Sequence, residues 1–270
     1  MNAEPFPGPA RATAAPPRAL SGREARPVHE HEGGRSLRAS QAQQEVEDFT
    51  SDAAHQLRTP LARILGELGL VLANAGPLSG EVRARLESVR SEVEAHLQTC
   101  TRLLLLAQLD GGVLDREQRS DEVDLAAVMR ELIELMTPLA NEKAIRVHLL
   151  GLGARGRLVR CCKALLIEAL FNLLDNAIRY TPGGGRVDVA VLTRERYVVV
   201  SVSDTGPGVP AQERRLIFRR FYRGTLGAGE AGTGLGLAIA RAIARAHGGD
   251  VLLSSPTGRG ATFEVRLPAV

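Results

Sequence analysis

The chain of 270 residues has no tryptophan, and aromatic residues make up only 3% of it. Its three cysteines, Cys100, Cys161 and Cys162, are odd in number and lack metal-ligand spacing, which argues against a disulfide framework or a cysteine metal site. No apolar run approaches the roughly 18 residues of a membrane-spanning helix, and the N-terminus lacks the apolar core of a signal peptide. We therefore expect a cytoplasmic protein, attached to a membrane only if a further, membrane-bound segment is missing from this chain.

A strong charge of one sign is also missing, since 34 basic and 31 acidic residues leave a net charge of +3. No basic stripe with interleaved aromatic residues occurs, so nucleic acid is not expected as a partner. Hydrophobic residues make up 44% of the chain, which is enough for two modest domains. Residues 1–40 carry six of the fourteen prolines, and this composition predicts a disordered or linker segment.

Two long helices are predicted in residues 41–112, because apolar side chains recur there every three or four positions. The segment Asn74–Gly80 contains Gly-Pro and ends the first helix in a turn, and the second helix runs past Leu86 to Ala107. The first apolar stripe consists of Val46, Phe49, Ala53, Leu57, Leu61, Ile64, Leu68 and Val71. A lone helical hairpin leaves much of this surface exposed, so two copies are expected to form a homodimer, a four-helix bundle.

His55 lies off the first apolar stripe. At roughly 100° per residue it is about 200° round the helix from Ala53, so its imidazole is expected to face solvent. Pro60 follows inside the same helix, where it removes a backbone donor and predicts a kink. On this position alone, a solvated histidine is the simpler interpretation and a reactive one is the alternative.

Beyond Gly111-Gly112 the pattern changes to mixed helices and strands, which predicts a second domain over residues 120–270. Helices are predicted at 125–139 and 164–180, and strands at 145–150, 185–193, 196–203, 250–254 and 261–267. The fold class expected from this order is an α+β sandwich, in which helices cover one face of a sheet.

Asn172 and Asn176 are four residues apart inside the apolar helix predicted at 164–180, so they share one face. Amide oxygens can hold Mg²⁺ when phosphates supply most of the charge. A single asparagine here would more simply be bonded within the core, but the spaced pair favours a site.

Two glycine-containing loops follow. Asp204-Thr-Gly-Pro-Gly208 comes directly after a buried strand, where a carboxylate can accept the exocyclic amine of adenine, although the same sequence is also a common turn. The segment 232–237 opens a helix whose backbone N–H groups would face phosphates. Phe218 and Phe221, between the loops, would anchor a mobile lid or belong to the core. The loop residues expected to contact a cofactor are Gly206, Gly208, Phe218, Phe221, Gly232, Thr233, Gly234, Leu235, Gly236 and Leu237.

The segment His55-Gln-Leu-Arg-Thr-Pro-Leu61 resembles the phosphoacceptor box of bacterial sensor histidine kinases, whose usual form is His-Glu-x-Arg-Thr-Pro-Leu. The later segments resemble, in order, the N, G1, F, G2 and G3 boxes of the ATPase domain of these kinases, which has a Bergerat-type fold. The resemblance covers about residues 41–270. It implies a dimerisation and phosphotransfer hairpin at 41–112 and a catalytic ATP-binding domain at 120–270. It also implies two-component signalling, with ATP and Mg²⁺ as cofactors and a response regulator as partner.

By the same resemblance, His55 is the phosphoacceptor, and Gln56 and Thr59 belong to its catalytic box. Asn176 is the Mg²⁺ ligand with Asn172 beside it. The further contacts that the resemblance implies are Asp204 to adenine, and Arg179 and Tyr180 to the nucleotide.

This sequence departs from the family pattern at two places. Gln56 stands where the family commonly has a carboxylate, and a neutral amide can orient the imidazole but cannot take its proton, which also puts phosphatase activity in doubt. Cys161-Cys162 replaces a pair that usually caps the long helix. Two alternatives stay open. One is a nucleotide-binding scaffold without autokinase activity, and the other is an ATPase clamp, which Asn172 disfavours because such ATPases carry glutamate there.

Overall fold

The computed structural model describes residues 53, 56–74, 76, 78–111, 121–150, 158–225, 232–255 and 260–270. The predicted linker, His55 and Gly112 lie outside these residues. Helix α1 covers residues 56–74 and continues without interruption through Pro60. Helix α2 is Gly80–Asp110, and it begins where the Ser79 side chain accepts a hydrogen bond from the backbone N–H of Val82. The predicted pair of long helices is therefore present.

The hairpin helices pack on each other through a small apolar cluster. Cys100 and Leu104 are buried, and Leu61 and Leu103 pack against them. Other positions of the predicted stripe are not covered by the described residues of a single chain, since Ile64 is 42% exposed. A single copy of the hairpin thus leaves part of its apolar surface in contact with solvent.

The rest of the described chain forms a layered α/β domain. Its elements are β1 Asp121–Asp124, α3 Leu125–Glu142, β2 Arg146–Leu150, β3 Leu158–Cys161, α4 Lys163–Tyr180, β4 Arg186–Arg194, β5 Tyr197–Asp204, α5 Gly236–Ala246, β6 Asp250–Leu253 and β7 Thr262–Pro268. The principal sheet has the strand order β2-β4-β5-β7-β6, in which β2 is parallel to β4 and the other neighbours are antiparallel. Strands β1 and β3 form a separate antiparallel pair.

One face of the principal sheet carries the core. The register places Val189 beside Val202 and Val202 beside Phe263, and all three side chains are buried. Because side chains alternate along a strand, Asp188 and Ser203 lie on the opposite, partly exposed face. Helices α3, α4 and α5 contact β2, β5 and β7 respectively. The predicted sheet with helices on one face is confirmed.

Helix α4 begins without a side-chain cap from its N-cap residue, Cys162, as the sequence predicted. Two side chains from elsewhere bind this end instead. The backbone N–H of Cys162 donates to Nε2 of His247 at 3.1 Å, and that of Lys163 lies 3.5 Å from a carboxylate oxygen of Asp121. His247 Nδ1 lies 2.8 Å from the carbonyl of Ile243, so the ring bears its proton on Nδ1 and accepts through Nε2.

The C-terminal end of α2 packs against the α/β domain. Leu106 and Leu109 are buried and belong to the same apolar core as the sheet and its helices. An ion pair joins Asp110 to Arg220 at this junction. The hairpin and the α/β domain therefore share a core at the end of α2.

Candidate active site

A cleft opens between α4, the loop after β5 and the N-terminus of α5, and most of the predicted site residues lie in its wall. Those that line it are Asn172, Asn176, Arg179, Tyr180, Asp204, Gly208, Gly232, Thr233, Gly234, Gly236 and Leu237. The fold thus brings together segments that are separated by up to about 65 positions in the sequence.

Asn172 is 6% exposed, and its amide orientation is set by its neighbour one turn earlier. Its Nδ2 donates to the backbone carbonyl of Glu168 at 2.8 Å and to the carboxylate Oε1 of the same residue at 3.1 Å. Both partners only accept, so Oδ1 points the other way. A Cβ added at Gly236 would lie 3.0 Å from that oxygen, which places Oδ1 against the start of α5.

Asp204 is the last residue of β5 and follows Val198, Val200 and Val202 on the core face of the sheet. It is therefore 8% exposed. Its Oδ1 accepts the backbone N–H of Gly206 at 2.8 Å and of Ala261 at 3.1 Å. Burial raises the pKa of this carboxyl above its usual value of 3.8, against the opposing effect of these two hydrogen bonds.

In the second glycine loop, position 234 requires glycine. Gly234 has φ +71°, and a Cβ there would lie 2.7 Å from the carbonyl carbon of Phe221 and 2.9 Å from the oxygen of Tyr222. Helix α5 then begins with Leu235 as N-cap, without a side-chain cap among the described residues and without an acidic residue in its first turn. The first N–H groups of α5 thus stand at the cleft with the positive end of the helix dipole.

Four of the predicted contacts are placed outside the cleft wall. Phe221 is 56% exposed and adopts φ +61°, so the expectation that it anchors a lid by apolar packing is wrong. Phe218 packs edge-to-face on Phe263 in the core, with ring centroids 6.3 Å apart. Leu235 is fully buried in the same core, which follows from its place at the foot of α5.

Gly206 is the fourth of these residues, and it packs behind the cleft wall against α4 and Asp204. A Cβ at this position would lie 2.7 Å from the carbonyl oxygen of Tyr180 and 2.8 Å from Oδ1 of Asp204. The glycine therefore permits the close approach of α4 and the loop after β5. Its contribution is the shape of the wall.

Charged residues that the sequence analysis missed also line the cleft, among them Arg102, Asp175 and Glu213. Asp175 accepts from Arg179 at 2.8 Å, an i,i+4 pair that the spacing could have shown. Glu213 accepts the backbone N–H of Thr225 at 3.2 Å and its hydroxyl at 2.6 Å. Arg102 comes from α2, and no local pattern could have placed it here.

A metal at this site would depend on amide oxygens and on the ligand. Among the described residues, no cluster of three or more histidine, cysteine or acidic side chains could hold a metal ion. Burial raises the pKa of the Cys161 thiol to about 11, so it stays protonated at neutral pH. Asn172 and Asn176 on the cleft wall are neutral oxygen donors, which fit Mg²⁺ bound chiefly through phosphates.

The phosphoacceptor box is described only in part. Gln56 and Thr59 lie on α1 with exposed side chains, while His55 itself lies outside the described residues. None of the described helices combines the length and apolar character needed to cross a bilayer.

Two family models match the chain. The His kinase A phospho-acceptor domain matches residues 45–112, and the histidine kinase-, DNA gyrase B- and HSP90-like ATPase matches residues 163–270. Among curated relatives, the sensor histidine kinase RppB of Synechocystis sp. is 34% identical over 84% of this chain and 50% of its own length. The sensor protein kinase PmrB of Pseudomonas aeruginosa is 36% identical over 82% of this chain and 45% of its own length.

The solved structure of full-length ShkA in complex with AMPPNP is similar over 83% of this chain and 46% of ShkA, with a TM-score of 0.71 and 28% identity. The chain spans about half the length of the curated relatives that it matches. The two matched regions agree with the fold, since the phospho-acceptor model covers the helical hairpin and the ATPase model covers most of the α/β domain that follows it. The chain therefore belongs to the sensor histidine kinases of two-component systems.

Proposed function

We propose that this chain is a protein histidine kinase core that uses ATP to phosphorylate its own His55. The observation that carries this proposal is the cleft, where a buried carboxylate, an oriented amide and the N-terminus of α5 converge. The carboxylate matches the adenine base of ATP, and the amide and the helix N-terminus match its anionic, metal-bound phosphates. The ShkA complex supports this assignment because AMPPNP is an analogue of ATP.

Asp204 is the proposed adenine contact. Both of its described hydrogen bonds fall on Oδ1, which leaves Oδ2 to accept the exocyclic amine of the base. Gly208, with φ +77°, lets the backbone of the same loop approach the ring. Arg179 and Tyr180 at the end of α4 are proposed to contact the rest of the nucleotide.

The phosphates would lie at the N-terminus of α5, held by the backbone of residues 232–237. Asn176 is the proposed Mg²⁺ ligand, with the Oδ1 of Asn172 beside it. Bound Mg²⁺ would neutralise the charge of the phosphates and orient them for transfer. A glutamate at position 172 would activate water in an ATPase, so the neutral Asn172 protects ATP from hydrolysis.

In the proposed transfer, a neutral ring nitrogen of His55 attacks the γ-phosphorus in line. The nitrogen–phosphorus bond forms as the bond from phosphorus to the bridging oxygen of ADP breaks. The ring then loses its remaining N–H proton to solvent, because Gln56 can accept a hydrogen bond but not a proton. The phosphoryl group would pass to an aspartate of a response-regulator receiver domain that docks on the hairpin.

We also propose that the chain acts as a homodimer through the hairpin, since apolar positions such as Ile64 and Val89 stay exposed in one copy.

The domain limits proposed for this function are 41–112 and 120–270. The second limit is supported by Val123 and Met129, which lie before the matched ATPase region yet belong to its core. Because ATP is the phosphoryl donor, both domains are placed in the cytoplasm.

The test is labelling with γ-³²P-ATP and Mg²⁺. The wild-type chain should acquire an acid-labile, alkali-stable label, which His55→Ala should abolish. His96→Ala is the matched control, since His96 is an exposed histidine on α2 of the same hairpin, and its label should equal that of the wild type.

Other outcomes separate the alternatives. Nucleotide binding without any label would instead favour the scaffold. Phosphate release that does not depend on His55 would favour the ATPase clamp. A label of unchanged intensity in His55→Ala would disprove the assignment of the phosphoacceptor.

A further inference from the structure

Arg102 belongs to the helical hairpin, yet it lines the nucleotide cleft together with Asn172 and Asn176. Its Nε lies 3.8 Å from the carboxylate Oε1 of Glu168 on α4. One arginine of the hairpin therefore reaches the wall of the site in the catalytic domain.

Glu168 in turn holds Asn172. Its Oε1 accepts from Asn172 Nδ2 at 3.1 Å, beside the bond from the same nitrogen to the Glu168 carbonyl at 2.8 Å. Both amide hydrogens are thereby used, and Oδ1 is left facing the start of α5. Without the carboxylate, one amide hydrogen of a nearly buried side chain would have no acceptor, and the amide could rotate.

The same oxygen of Glu168 thus faces two partners, a cation from the hairpin and an amide from the site. The side chains of Arg102 and Glu168 are 30% and 36% exposed, so their ion pair contributes little to the stability of the fold. Its place matters more than its strength. The burial of Leu106 and Leu109 fixes the neighbouring turns of α2 against the catalytic domain and so sets the position of Arg102.

We propose that Glu168 and Arg102 are positioning residues that couple the hairpin to nucleotide binding. Glu168 orients the amide of Asn172 toward the metal-bound phosphates, and Arg102 restrains Glu168 when α2 is docked. Docking therefore tightens the binding of Mg²⁺-ATP, and by linkage the nucleotide favours docking. This inference rests on the proposed function, in which Asn172 lies beside the Mg²⁺ ligand Asn176.

The test measures binding of a fluorescent trinitrophenyl-ATP to the purified full chain, in Mg²⁺ and in EDTA. Glu168→Ala should weaken binding about tenfold in Mg²⁺ and less than twofold in EDTA, because the lost hydrogen bond orients a group that acts beside the metal. Glu168→Gln keeps an acceptor for Asn172 but loses the charge that faces Arg102. It should weaken binding only about threefold, as should Arg102→Gln.

The double variant Arg102→Gln/Glu168→Gln should weaken binding no more than either single variant, since both remove the same ion pair. Arg90→Gln is the matched control, because Arg90 pairs with Glu94 on α2 at 3.5 Å and does not line the cleft. Its affinity should equal that of the wild type.

If Glu168 has a merely structural role, Glu168→Ala should weaken binding equally in Mg²⁺ and in EDTA, and that result overturns the inference. Wild-type affinity in Glu168→Ala, or additive effects in the double variant, overturns it as well. If one of these results is found while the wild-type chain still binds nucleotide and becomes labelled at His55, the inference fails and the proposed function stands. A wild-type chain that binds no nucleotide would overturn both.

Discussion

The two regions of this molecule differ in how they bury their apolar side chains. In the catalytic domain, alternate residues of the sheet and the inner faces of α3, α4 and α5 close on one core within a single chain. In the hairpin, Cys100 and Leu104 form a small buried cluster, while stripe positions such as Leu57, Ile64 and Val71 stay exposed in one copy. The catalytic domain is thus complete as one chain, whereas the hairpin calls for a second surface.

The same difference separates the parts of the proposed reaction. The residues proposed to bind nucleotide, such as Asn172 on α4 and Asp204 at the end of β5, lie on helices and strands whose positions are fixed by the core. The proposed acceptor box lies on the hairpin, which is proposed to be completed by a second copy. Contacts at the end of α2, such as the pair of Asp110 with Arg220, join the two regions. Variants that affect one region alone can test this division.

The largest effect is expected from a charge on the hairpin. Ile64→Glu would place an unpaired carboxylate in both halves of the proposed dimer interface, and burying such a charge costs several kcal/mol. The dimer should dissociate at least about 100-fold more readily, which corresponds to about 2.7 kcal/mol. Light scattering during gel filtration measures this directly, and nucleotide affinity should change little.

Leu139→Glu on α3 is the matched control, because Ile64 and Leu139 are both 42% exposed and lie in different regions. It should leave the dimer intact. Dissociation by both variants would place the interface outside the hairpin, and dissociation by neither would contradict the proposed bundle.

The sequence predicted those parts of the fold that depend on local periodicity. Helices α2 and α4 and strands β4 and β5 occur close to their predicted limits, because their apolar residues repeat at the period of the element. Strands β1 and β3 were missed because each is short and interrupted by charged residues such as Glu122 and Arg160, whereas the equally short β6 contains an apolar run at 251–253.

The site followed the same rule. Asn172, Asp204 and the glycines of 232–236 could be predicted, since helical spacing and strand ends indicate which face they occupy. The exposure of Phe221 and the arrival of Arg102 could not. They depend on how distant segments pack, and residues 102 and 168 are 66 positions apart with no shared pattern.

An intermediate effect is expected at Asp204, within the catalytic domain. Asp204→Asn should weaken ATP binding roughly 10- to 100-fold, since a hydrogen bond to a charged group contributes about 1.5–3 kcal/mol. The dimer should be unaffected. Calorimetric titration with ATP checks the affinity, and Asp188→Asn, on the opposite face of the sheet, should bind as the wild type does.

The raised pKa of Asp204 adds a dependence on pH. Between its usual value of 3.8 and the raised native pKa, the native state holds the proton more tightly than the unfolded state. The stability of the ligand-free wild type should therefore fall as pH rises through that window and stay lower above it. Asp204→Asn lacks this loss, so its thermal midpoint without ATP should exceed that of the wild type at neutral pH. An unchanged difference between the two proteins from pH 3 to pH 8 would contradict the burial argument.

The smallest effect is expected at the start of α4. Cys162 provides no side-chain cap, while Asp124 caps α3 through a 2.9 Å bond from the N–H of Ala126. Cys162→Ser would supply an oxygen acceptor and should stabilise the catalytic domain by about 0.5–1 kcal/mol, whereas Cys162→Ala removes the thiol without adding one. ATP should shift the unfolding transition of the catalytic domain, which identifies it. The midpoint temperature of that transition should rise in the serine variant only. Equal thermal midpoints for both variants would mean that the hydrogen bonds accepted by His247 and Asp121 already stabilise the N-terminus of α4, so that a side-chain cap adds nothing.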